Sequence, residues 1–268
     1  MKKISAFLLI VVLFSGCNVN PLTGKKNMAL ISNDQLFPMA FSQYEEFLKE
    51  SEVITGTREA EMVTRVGNRL AQAAQKLLAA DGNEDYLDNY RWEFKLVKDD
   101  SINAWAMPGG KIVFYSGILP VTLNEAGIAV VMGHEIAHAI LNHGQQRISA
   151  DILKQIGALG ISIATMNQSP EARAIIMQVY GVGSSLAGTL PFSREHENEA
   201  DRYGQILMAI AGYNPDEAAV FWERMADAGS GNVPEFLSTH PSDINRVRNL
   251  QSFSPEAKQI AADFGVTF

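Results

Sequence analysis

The sequence predicts an α+β domain, mainly helical, with a small antiparallel sheet set beside one chemistry-bearing helix. Three observations predict it. Apolar residues recur at helical spacing through residues 57–77 and 131–143, polar and apolar residues alternate strictly through 91–98, and two strand-like runs flank Pro108-Gly109-Gly110.

The first residues are an address rather than part of the fold. Lys2 and Lys3 precede an apolar run from Ile4 to Phe14, too short and wrongly flanked for a stable membrane span. Ser15-Gly16-Cys17 then resembles the lipobox at which bacterial lipoproteins are cut, which makes Cys17, the single cysteine, the lipidated first residue after a signal peptide at 1–16. Phe14 stands where such boxes usually carry Leu, so ordinary secretory cleavage is the alternative. Asn18 follows the cysteine instead of Asp, which by analogy with lipoprotein sorting points to the outer membrane, facing the periplasm. With one cysteine no internal disulfide can form, and stability rests on the core and a metal. A mature chain of about 250 residues supports one large domain. The net charge of −8 offers nucleic acid no basic surface, so membrane attachment falls to the lipid.

Residues 17–40 read as a polar, turn-rich tether, with the domain proper at 41–268. A first helix is expected near 41–50. The next is better marked: Thr57 is a candidate N-cap, and Met62, Val63, Val66, Leu70, Ala74 and Leu77 share one face up to Asp81-Gly82. Trp92, Phe94 and Leu96 alternate with Arg91, Glu93 and Lys95 as a half-buried strand. The runs 103–107 and 111–115 make a hairpin, and Asn103 to Met107 is the candidate edge on which an extended peptide would pair, with Asn103, Ala104 and Trp105 as the candidate substrate-binding residues. A hairpin packed in the core is the alternative.

Within residues 131–143 stands His134-Glu135-Ile-Ala-His138. At about 100° per residue the two histidines share a helical face and reach one ion, with Glu135 beside them as the base for a water. The implied chemistry is zinc-assisted peptide hydrolysis, with one Zn2+ per chain. Thr122 with Glu125 is a possible capping box and Gly144 a natural stop, which centre the motif in its helix. A third ligand is required. His143 is about 140° round from His138 with no glycine between them, which reads as a polar helix-end residue. Glu197 is the better donor: with Ala200, Asp201, Gly204 and Met208 it forms one stripe, whose small residues permit close helix approach, and Asp201 is placed to accept the free N–H of a ligand histidine. Glu195 and Glu199 fit a solvated acidic face. Residues 151–191, rich in Ala, Gly, Ile and Met, read as a helical hairpin, buried or acting as a lid.

HEIAH followed by SREHENEADRYG resembles the M48 peptidase family, whose third ligand is the Glu of a Glu-x-x-Ala-Asp pattern; Glu197 and Asp201 match it. Residues 103–110 resemble that family's Asn-Ala-aromatic-Ala-x-Pro-Gly-Gly segment, and 238–242 with Arg246 resemble its His-Pro motif. The resemblance implies a zincin-like fold and raises His240 as a catalytic group, either stabilising the oxyanion or occupying the open metal position at rest. The lipobox with its Asn-Pro-Leu-Thr-Gly tether is similar to outer-membrane lipoprotein members. These imply periplasmic quality control, with unfolded or misassembled envelope proteins as substrates. A chaperone-like factor that binds such chains with little proteolysis is the rival reading.

Overall fold

The computed structural model describes residues 17–159, 193–228, 234–240 and 245–268. The expected signal peptide and most of the expected 151–191 hairpin lie outside them.

The segment expected as a tether is folded onto the domain. Strands β1 (Cys17–Val19) and β2 (Lys26–Met28) form an antiparallel hairpin. The buried Asn20 amide donates to the Ile140 carbonyl at 2.9 Å, and the Tyr203 hydroxyl donates to the Leu22 carbonyl at 2.6 Å. Helix α1 (Asn33–Glu50) begins well before the expected position. Ser32 and Gln35 form a reciprocal capping box, and burial of Leu36, Phe37 and Ala40 holds the helix across Pro38.

After the short strand β3 (Val53–Ile54) comes α2 (Arg58–Ala80), capped by Thr57 as expected. Its buried face carries Val63, Val66, Leu70 and Ala74, with Met62 and Leu77 at its margin. A Cβ on Gly67 would lie 2.3 Å from the Phe94 ring, so the glycine admits Phe94 from the sheet beneath.

Strands β4 (Glu93–Val97), β5 (Ala104–Met107) and β6 (Lys111–Tyr115) join β3 in the order β3-β4-β6-β5. The sheet is small and β5–β6 is the expected antiparallel hairpin, but β4 runs parallel to β6, so the sheet is mixed. The chain crosses from β4 to the outer side of the position β6 later fills, which leaves β5 as an edge strand.

The short α3 (Leu119–Thr122) leads into α4 (Glu125–Ile140), every residue of which from Gly127 on is buried. Its cap is Asn124, not the expected Thr122. Leu123 adopts a φ of 64° that breaks the helix there, and the Asn124 side chain accepts from the Gly127 N–H at 3.1 Å. The expected stop at Gly144 also moves. Asn142 takes a φ of 56°, a left-handed conformation that asparagine tolerates better than most residues, and α5 (His143–Leu159) starts directly after it. Helices α6 (Arg194–Ile210), α7 (Glu217–Ala228), α8 (Glu235–Thr239) and α9 (Arg246–Asp263) complete the described chain. Among the described residues no single helix is long and apolar enough to cross a membrane.

Helices α4 and α6 meet almost backbone to backbone. A Cβ on Gly133 would lie 2.8 Å from the Gly204 carbonyl oxygen, and one on Gly204 would lie 2.9 Å from the His134 nitrogen. The small-residue stripe expected on α6 therefore sets the separation of the two helices that carry the site.

Candidate metal centre

Four buried side chains from three elements converge: His134 and His138 from α4, Glu197 from the first turn of α6, and His240 at the end of α8. Each offers one ligand atom, and these atoms all lie within 4.8 Å of one another. The helical spacing of the histidines brings their Nε2 atoms to 3.0 Å, and Glu197 approaches them at 3.3 Å through Oε2 to His134 and Oε1 to His138.

The donor set fits a zinc ion. His134 Nδ1 lies 3.0 Å from Asp201 Oδ1, and His138 Nδ1 lies 3.0 Å from His143 Nδ1. If each histidine donates its Nδ1 proton outward, two bare Nε2 lone pairs face each other across a buried carboxylate, an arrangement that a cation between them reconciles. Glu197 Oε2 is buried with only long approaches among the described residues, to His134 Nε2 at 3.3 Å and to Arg246 Nη2 at 3.5 Å. Without a metal, a proton takes the cation's place. Burial opposes charge on His134, but the Glu197 and Asp201 carboxylates outweigh it and push its pKa up to about 9. On His138 burial wins, and its pKa falls well below the ordinary value. Glu197 stays ionised: burial opposes this, but the charges of His240 and His134 hold its pKa well below the usual range.

Glu135 is buried one residue along from His134, and burial is the first cause of its raised pKa. It faces His240, whose Nε2 is 3.4 Å from Oε1, and it accepts a hydrogen bond from the Ala106 backbone. The edge strand therefore touches the site. The Tyr115 N–H donates to the Asn103 carbonyl, so alternation directs Asn103, Trp105 and Met107 toward β6 and leaves Ala104 and Ala106 facing the open side. Of the three expected substrate-pairing residues, Ala104 faces outward, with its N–H accepted by Asn103 Oδ1 at 2.9 Å. The half-buried Trp105 packs its ring against Phe47 and donates its indole N–H to Tyr115. Ala106 lies within the expected edge 103–107, though it is not among the three expected substrate-binding residues.

His240 joins the cluster fully, with Nδ1 at 3.1 Å from Glu197 Oε1 and 3.2 Å from His134 Nε2. It is held by stacking on Phe236, which stacks on Trp222, which in turn carries the Arg246 guanidinium 3.3 Å from its ring centroid. Arg246 donates to Asp201 at 2.6 Å. Beyond its place in the His-Pro resemblance nothing in the sequence gave Arg246 a task.

His143 stands outside the donor group and at the start of α5, in line with the helix-end expectation, but it is not a solvent-facing residue. It is fully buried, because the left-handed turn at Asn142 brings it back over His138, and its Nε2 lies 3.0 Å from Glu199 Oε2. Glu199, expected on a solvated face, is only partly exposed and pairs with Lys25 as well. The signal available in the sequence was Asn142, a residue that turns a helix as glycine does.

A mainly helical domain with a small sheet beside a His/Glu/His cluster is the zincin-like architecture of a zinc metallopeptidase, and this cluster is that kind of active site. The chain belongs to peptidase family M48, whose model matches residues 58–254. It is 29% identical over 251 residues to the mitochondrial metalloendopeptidase OMA1 of Schizosaccharomyces pombe, covering 92% of this chain and 69% of that protein. The corresponding protein of Saccharomyces cerevisiae is 33% identical over 72% of this chain and 55% of its own length. The beta-barrel assembly-enhancing protease of Escherichia coli is 33% identical over 65% of this chain and 37% of its own length.

Proposed function

We propose that this protein is a zinc-dependent endopeptidase that cuts extended, unfolded polypeptide, anchored through lipid on Cys17 to the bacterial outer membrane and acting on misfolded or misassembled envelope proteins. The observation that carries the catalytic part is the junction of three features: the converging donors, the buried Glu135, and the backbone of edge strand β5 touching that same carboxyl. The bacterial protease among the relatives, with its barrel-assembly name, supports the envelope setting. So does the lipobox-like Ser15-Gly16-Cys17.

His134, His138 and Glu197 would hold the ion. Zinc bound there supplies Lewis acidity that polarises a scissile carbonyl and acidifies a water. Glu135 takes the proton of the attacking water and passes it to the departing amine nitrogen. Burial helps by lifting its pKa toward the working range of a general base. Strand β5 would hold the peptide extended through the backbone of the half-buried Ala106, the Ala104 N–H being already accepted by Asn103 Oδ1, so selection rests on the peptide backbone more than on side chains. His240 lies within the same donor group and would be a fourth ligand at rest, in which case α8 would have to release it before substrate enters. Freed, its imidazole is near enough to Glu135 to meet the developing oxyanion.

The test compares the chain from Asn18 onward with its Glu135→Gln variant for zinc per chain and for cleavage of an unfolded envelope protein. Equal zinc with cleavage reduced about 10²–10⁴-fold is expected. Undiminished cleavage by the variant would remove Glu135 from the chemistry. Rescue of a deletion phenotype by Glu135→Gln would favour the chaperone-like rival. His240→Ala is expected to raise turnover by opening the donor position, and a loss of turnover instead would leave it the oxyanion role alone.

A further inference from the structure

The outer nitrogen of His138 begins a line of contacts that leaves the active site and ends on the N-terminal hairpin. His138 Nδ1 lies 3.0 Å from His143 Nδ1, His143 Nε2 lies 3.0 Å from Glu199 Oε2, and Glu199 Oε1 lies 2.6 Å from Lys25 Nζ. The side chains are 3%, 0%, 18% and 51% exposed in that order, so the inner half of the line is dry and its outer end is wet.

Only one arrangement of protons satisfies the line when His138 gives Nε2 to a cation. Its remaining proton is then on Nδ1 and points at His143 Nδ1, which must be a bare acceptor. His143 is therefore neutral with its proton on Nε2, donated to Glu199, and Glu199 must be an anion. The surroundings suit each requirement. His143 is fully buried between His138 and Glu199, and Lys25 Nζ sits against the far oxygen of Glu199. His196 stacks on His143 with ring centroids 4.3 Å apart and holds the face of its imidazole. Glu195 shares Lys25 at the exposed end.

We propose that His143, Glu199 and Lys25 are positioning residues for the metal ligand His138, which makes the N-terminal hairpin a working part of the metal site. The hairpin is suited to this. Asn20 ties it to the end of α4 through the Ile140 carbonyl, and Leu22 ties it to α6 through Tyr203, so Lys25 is presented to Glu199 from a fixed base. The proposal rests on the reading that the cluster holds zinc.

Zinc affinity of the chain from Asn18 onward, measured by competition with a chromogenic chelator, tests it without requiring turnover. His143→Ala and Glu199→Ala are expected to weaken zinc binding about 10- to 100-fold, the usual cost of losing an outer partner of a ligand histidine. Lys25→Met should weaken it by a smaller factor that disappears at high salt, and Lys25→Arg should restore it. His143→Gln, whose amide can both accept and donate, should recover part of the loss. Thermal unfolding of the metal-free variants separates positioning from general destabilisation. Wild-type zinc affinity in both alanine variants overturns the relay while leaving the metal reading intact. A loss that merely tracks a lowered unfolding temperature, with no rescue by Lys25→Arg or His143→Gln, overturns it as well. Failure of the wild-type chain to take up zinc refutes both.

Discussion

His134 and His138 stand one turn apart on α4, yet their outer nitrogens meet different environments. His134 faces Asp201 and behind it Arg246, both buried, supplied by α6 and α9. His138 faces His143, then Glu199, then Lys25, and that line runs out to solvent on the hairpin. The first support is short, dry and doubly charged. The second is long, begins with a neutral imidazole and ends in a screened surface pair. The contrast shows one site held rigidly from the interior on one side and adjustably from the periphery on the other, since a buried ion pair cannot be broken cheaply whereas an exposed one can.

The largest expected effect breaks the interior side. Asp201→Ala strands the Arg246 guanidinium in the core and should cost roughly 3–5 kcal/mol in chemical denaturation, with loss of zinc. A cost no larger than that of Lys25→Met would mean the two supports are not distinct.

Gly204→Ala acts on both sides at once. Its methyl would meet the α4 backbone at Gly133 and His134, forcing the helices apart at about 1–3 kcal/mol and weakening zinc at both histidines. Gly204→Ala with unchanged stability and zinc affinity would show that the close approach of α4 and α6 is not needed.

Protonation sharpens the comparison further. His134 is pushed up to about 9 while His138 is driven far below its usual value, so near neutral pH the metal-free site carries its proton on the interior side. Zinc uptake near neutrality should release about one proton, read by calorimetry in buffers of different ionisation enthalpy. Because the folded pKa of His134 lies above its unfolded value near 6.5, the associated stability is complete below 6.5 and disappears as pH rises through about 9. The metal-free protein should therefore weaken over that window while the zinc-loaded one does not. The smallest effect belongs to Lys25→Met, less than about 1 kcal/mol in folding stability and sensitive to salt.

Much of the site was legible in the sequence because helical geometry is local. Two histidines four apart must share a face, and Glu197, Ala200, Asp201 and Gly204 must form a stripe wherever α6 lies. The hairpin at 103–115 was legible for the same reason, its alternation and its Gly109-Gly110 turn both being short-range signals. The contact of His143 with His138 was not legible because its angle was measured along one continuous helix, and the left-handed Asn142 voids that measurement. The segment 17–32 looked like a tether because it is polar. Its polar groups are instead spent on partners far along the chain: Asn20 on Ile140, Lys25 on Glu199, and the Leu22 carbonyl on Tyr203.

By itself the sequence determined which donor residues share a face on each helix, that Glu135 lies beside them, and the small-residue stripe, since these depend on periods of 3.6 and 2 that the backbone imposes. Only the tertiary structure decided that β4 and β6 run parallel, that the backbone of Ala106 reaches Glu135, that His240 joins the His134, His138 and Glu197 cluster, and that Arg246 and the Lys25 line back it. Those are contacts between residues distant in the chain, and no local period encodes which of them will meet.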